Sequence, residues 1–237
     1  MADAFEFYPC LVDDAPASIY VNLRYENEAE RGGDTAYWLA VRMRETGPHG
    51  IGTAEEGEVV NAFEEAVIAS VAAAGLVYAG RLRTRGIWEM TFYGPAGHLD
   101  VVQDAAHELA GRTVEVRTRP DPDWRYYREL LVPDAERKQW MDDRRLVQIL
   151  QEQGDRLSVP RRVDHWALFP SADARAAFVA AVRKAGFETE IEDDAVHAWR
   201  TDPIELDHIH DVVMLLVDAA GEAGGEYDGW ETSIERG

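Results

Sequence analysis

The chain carries one cysteine, Cys10, in 237 residues. A single thiol excludes an intramolecular disulfide and any zinc site built on several thiolates, and a reducing compartment suits it best. No stretch approaches the roughly 18 apolar residues of a membrane span, and Met1 to Cys10 holds no basic side chain and no apolar run of signal-peptide length. A cytoplasmic location is expected. Cations are scarce as well: 24 Lys and Arg stand against 45 Asp and Glu, a formal charge of −21 shared by both halves. So negative a surface repels phosphate backbones, which disfavours direct nucleic-acid binding and helps the capture of a basic protein partner. The acidity also serves plain solubility. Nucleophile elbow, Walker loop, dinucleotide glycine pattern and paired-cysteine spacing are all absent. The sequence therefore assigns no catalytic residue, no metal ligand and no cofactor.

What is present is globular patterning, with 46 % hydrophobic residues and seven Trp, nine Tyr and seven Phe. The length favours two domains, read as 1–135 and 136–237. In the first, strands are expected at Ser18 to Tyr25 and Tyr37 to Met43, then a helix from Val59 to Ala74 with Val59, Phe63, Val67 and Val71 inward and Glu64 elsewhere. Strands Leu76 to Thr84 and Ile87 to Tyr93 join as a hairpin across Arg85 and Gly86. A helix from Gly97 to Ala110, burying Leu99, Val102 and Leu109, precedes a strand at Thr113 to Thr118. The segment Arg119 to Pro133, with Trp124, Tyr126 and Tyr127, reads as an ordered connector whose aromatics must pack against something.

The second half opens with a helix, Glu136 to Gln153, and repeats the same grammar. Strand Arg162 to Phe169, a helix capped by Ser171, a hairpin turned on Asp193 and Asp194, the helix Leu206 to Ala223 and a last strand, Tyr227 to Ile234, follow in order. The fold class is α+β: two ferredoxin-like βαββαβ domains, the first with an extra N-terminal strand and the second with a leading helix.

The last helix is the most ordered piece of patterning. Ile209, Val212, Val213, Leu216 and Ala220 share one face, while Asp207, Asp211, Asp218 and Glu222 fall within about 60° on the other, flanked by Met214 and Leu215. Two readings stay open: carboxylates that merely solvate the helix, or a docking surface for a basic, partly apolar segment. Asp228 and Trp230 lie near the same end. They too carry two readings, since an Asp-Gly pair favours a turn or bulge and Trp230 then becomes a core anchor.

His208 and His210 lie two apart on a helix and so point about 200° from each other, which excludes one shared ion. His165 and His197 sit on neighbouring strands, and register decides whether they share a face. If they do, an enzyme or small-ligand pocket between the domains, lined by His165, Trp166, His197 and Trp199, is the rival reading. A homodimer joined through open sheet faces is a third.

One local motif goes further. The final helix, its small-residue end and Glu226-Tyr227-Asp228-Gly229-Trp230-x-Thr232, with Asp164, His165, Phe169 and the helix start at Ser171 to Asp173, resemble the family called regulator of ribonuclease E activity B from about Asp142 to Glu235. The resemblance implies a ferredoxin-like fold and a protein that binds a ribonuclease through a basic surface on the enzyme and modulates it without catalysis. The partner contacts are then expected at Asp207, Asp211, Met214, Asp218, Glu222, Asp228 and Trp230. The first half, through its early strands, the aromatics Trp124 to Tyr127 and the segment Leu130 to Asp134, resembles the uncharacterised bacterial domain of unknown function family six-nine-five, which implies no function.

Overall fold

A computed structural model describes residues 3–107 and 111–236. The chain is α+β and divides into two compact units, Met1–Asp134 and Ala135–Gly237.

The first unit runs β1 (Phe5–Val12), β2 (Ala15–Asn22), β3 (Thr35–Arg42), α1 (Ala54–Ala72), β4 (Val77–Thr84), β5 (Ile87–Gly94), α2 (Leu99–Ala106) and β6 (Val114–Pro120). Its strands form one antiparallel sheet in the order β1-β2-β4-β5-β3-β6. The run from β3 to β6 is thus a βαββαβ unit, and the β1–β2 hairpin extends its edge through β4. Sequence pattern misses β1 because Pro9 interrupts it. On this outermost strand a missing N–H costs no ladder bond on the solvent side. The expected turn at Arg85 and Gly86 forms, both with positive φ, as a two-residue hairpin turn demands. Helix α2 is described to Ala106; Leu109 and Ala110, expected in it, lie outside the described residues.

Helix α1 begins five residues before its expected start, with the Thr53 hydroxyl accepting from the Glu56 amide as N-cap. Its buried stripe is Val60, Phe63, Glu64, Val67 and Val71, while Val59 is 49 % exposed. This corrects the expected placement of Val59 and Glu64. Glu64 tolerates burial because Tyr78 Oη, Arg81 and Trp88 Nε1 donate to it at 2.8, 2.8 and 2.5 Å.

The helices cover one face of the sheet through Tyr37, Leu39, Trp88, Met90 and Phe92. The connector covers the other. Trp124 stacks on Tyr93 at 3.8 Å and donates to Gly33 O. Tyr127 Oη donates to Asn22 O, and Tyr8 Oη to Leu131 O. A π-helical turn at Tyr127–Leu131 places Tyr127 and Leu131 fully inside.

The second unit runs α3 (Ala135–Glu152), β7 (Arg161–Leu168), α4 (Ala172–Lys184), β8 (Glu188–Glu192), β9 (Ala195–Asp202), α5 (Leu206–Glu222) and β10 (Glu226–Thr232). The antiparallel order is β10-β7-β9-β8, again with βαββαβ chain order. Ser171 caps α4 by accepting from Ala174 N, and Asp193 turns the β8–β9 hairpin with φ of 51°. Val163, Ala167, Val196 and Ala198 face the helices and join Phe178, Val182, Val213 and Leu216 in the core.

Candidate functional site

Helix α5 owes its position to its apolar stripe: Ile209, Val212, Val213, Leu216 and Ala220 are buried at the 3.6-residue period. The remaining face carries the carboxylates. Asp207, Asp211, Asp218 and Glu222 are exposed, Met214 is half-buried, and Leu215 is 42 % exposed. Among the described residues none of the four carboxylates joins an ion pair, although Lys184 shares with Leu215, Asp218 and Glu222 a shallow groove between α4 and α5. This surface offers negative charge beside apolar atoms.

The strand after α5 is bent. Tyr227 pairs with Ala167 but Gly229 pairs with Trp166, so Asp228 is an extra residue, and Gly229 takes φ of 132°. The bulge leaves Asp228 exposed and turns Trp230 inward to 9 % exposure opposite His165. There Trp230 Nε1 donates to Asp143 Oδ1 at 3.0 Å, Gln139 Nε2 donates to the same oxygen at 3.0 Å, and His210 Nδ1 lies 2.8 Å from Oδ2. Burial raises the Asp143 carboxyl against the lowering hydrogen bonds from His210, Trp230 and Gln139. Sequence reasoning overlooked Asp143, although it lies on the apolar stripe of α3 with Val147 and Leu150. An acid on such a stripe signals a buried carboxylate with partners elsewhere.

The histidines do not converge. His208 Nε2 lies 2.9 Å from Asp202 Oδ1, and His210 serves Asp143 instead. His165, opposite Ala198, points into the core, whereas His197, opposite Trp166, points to the other side of the sheet. His165 is fully buried. Its Nδ1 lies 2.9 Å from Tyr227 Oη, its Nε2 has no partner, and burial drives its pKa down to about 4. The pair on which the enzyme or small-ligand reading depends therefore shares no face.

On the outer side, Asp164 Oδ1 receives Arg162 Nε at 2.8 Å and lies 2.7 Å from His197 Nε2. Burial works to raise the Asp164 carboxyl, but the hydrogen bonds from Arg162 and His197, together with the Coulombic effect of both, hold the group below the usual range. Carboxylate oxygens of Glu190 and Glu192 and a ring nitrogen of His197 come within 4.8 Å of one another. No helix among the described residues is long and apolar enough to cross a membrane.

Two family models match the chain. Residues 140–232 match Regulator of ribonuclease activity B, and residues 3–132 match Family of unknown function (DUF695). A search of curated proteins gives no match. Among solved structures, a crystal structure of an unknown protein from Galdieria sulphuraria is 13 % identical over 85 % of this chain and 99 % of that one, with a TM-score of 0.23.

Proposed function

Since this chain belongs to the Family of unknown function (DUF695) and carries a Regulator of ribonuclease activity B domain at residues 140–232, we propose that it is a non-catalytic protein that regulates a ribonuclease by contact. The match over 140–232 carries this reading. We read both βαββαβ units as ferredoxin-like and take the second as the regulatory one, acting in the cytoplasm. The contacts are assigned to Asp207, Asp211, Met214, Asp218 and Glu222, with Asp228 at the same end of the domain. Their support is physical: carboxylates without ion-pair partners beside a half-buried Met and an exposed Leu suit a basic, partly apolar surface on the enzyme. Trp230 contributes from inside, by holding β10 against Asp143.

The test is RNA cleavage by a ribonuclease E-type enzyme with increasing amounts of this protein. Cleavage should fall or change its pattern, and the change should vanish when Asp207, Asp211, Asp218 and Glu222 are replaced together by Lys. Unchanged cleavage at low salt overturns the reading.

A further inference from the structure

Side-chain alternation along β7 and β9, the two central strands, sends Arg162, Asp164, Trp166, His197 and Trp199 to the sheet face opposite α4 and α5. The helices pack on the opposite face, with the core, while Arg162 is exposed here and Asp164, Trp166, His197 and Trp199 keep partial exposure. The rings of Trp166 and His197 stack with centroids 4.9 Å apart and planes 3° from parallel, and His197 meets Trp199 at 4.8 Å. The edge strand β8 adds Glu188, Glu190 and Glu192, all exposed, with Glu188 opposite Trp199 and Glu190 opposite His197. None of these three glutamates joins an ion pair among the described residues.

We propose that this open face binds guanidinium groups and docks an arginine-bearing basic segment of a protein partner. The domain already holds one such group. The Arg162 guanidinium lies over Trp199 at 4.5 Å while its Nε donates to Asp164. One ring, one carboxylate and one guanidinium make that unit. Trp166 and His197 with Glu190 and Glu192 set rings and carboxylates side by side a second time. Arginine suits these rings and carboxylates better than lysine because its planar fork stacks on a ring and donates to a carboxylate at once. An aromatic sheet face can also stack bases of single-stranded nucleic acid. Here Asp164, Glu188, Glu190, Glu192 and Glu231 stand against Arg162 alone, a balance that repels phosphates. The proposal rests on the reading of this domain as a binder of a basic partner, but assigns a surface separate from the α5 stripe.

Titration calorimetry of the full chain at low salt, with an alternating arginine–glycine octapeptide, its lysine counterpart and a single-stranded oligouridine, tests it. The arginine peptide should bind more tightly than the lysine peptide. A Glu190→Gln, Glu192→Gln double variant, changed only at exposed positions, should bind the arginine peptide about tenfold more weakly. Trp166→Ala, with its fold checked by circular dichroism, should also weaken it, while charge reversal on α5 should weaken the arginine and lysine peptides alike, through the field alone, and leave the preference for arginine intact. Equal binding of both peptides, an unaffected double variant, loss of the arginine preference on α5 reversal, or tighter binding of the oligouridine each overturns the proposal. No ribonuclease is present in this measurement, so its failure leaves the cleavage test standing.

Discussion

Trp230 Nε1 donates to Asp143 Oδ1 at 3.0 Å across 87 residues of sequence, joining the last strand to the first helix of the second unit. The same carboxylate takes Gln139 and His210, so one side chain of 1 % exposure ties α3, α5 and β10 together. Replacing Asp143 by Ala leaves the indole N–H without its acceptor inside the core. The expected loss is about 3 kcal/mol, the scale for breaking a buried charged partner, with Asp143→Asn milder because one acceptor survives. Urea midpoints of the two variants check this, and equal midpoints for Asp143→Ala and the unchanged protein would refute it.

His165 should add an acid-sensitive part to the stability of the second unit. Its folded pKa of about 4 lies below the ordinary 6.5, so between these values the unfolded chain binds the proton and the folded one does not. Stability from this group is complete above pH 6.5 and drains as pH falls towards 4. The shift corresponds to about 2 kcal/mol lost between pH 7.5 and pH 5. His165→Phe should remove that part of the slope. Denaturant titrations at both pH values decide it, since an equal loss in both proteins assigns the sensitivity elsewhere.

In the first unit Glu64 holds the corresponding place. Arg81, which donates to it, also lies over the rings of Tyr20 and Trp88 at 4.8 and 4.4 Å and donates to Asn61. Glu64→Ala strands a largely buried guanidinium and frees the Tyr78 hydroxyl and the Trp88 N–H. A loss of about 3–5 kcal/mol is expected. Glu64→Gln keeps an acceptor and should recover a large part of it in thermal melts; identical melts for the two variants would contradict the network.

These two acids mark where sequence reading stops. Hairpins, caps and the α5 wheel are local, and their signals lie within a few residues: Arg85-Gly86, Ser171 and the spacing of Ile209, Val213, Leu216 and Ala220. Glu64 and Asp143 also sit at apolar-stripe spacing, a sign of a buried carboxylate that does not name its partners: apart from Gln139, four residues from Asp143, these lie 14 to 87 residues away. The stacked Trp166 and His197 depend on the β7–β9 register, which no local pattern carries. Strand β1 is lost to Pro9 because only its edge position makes that proline tolerable.

The α5 stripe predicts a kinetic signature. Asp207, Asp211, Asp218 and Glu222 are solvent-exposed, so each contributes little to the bound state through a rim ion pair but adds to the field that orients an approaching cationic partner. Charge reversal of the four should therefore slow association by about an order of magnitude or more at low salt, with a smaller change in dissociation. The difference should shrink as ionic strength rises and the screening length falls to about 8 Å near 0.15 M. Met214→Ala should show the opposite split, faster dissociation at nearly unchanged association, because its contribution is apolar burial rather than charge. Surface plasmon resonance with an immobilised ribonuclease, across a salt series, separates the two. If charge reversal changes only dissociation, the carboxylates lie inside the contact and not at its rim.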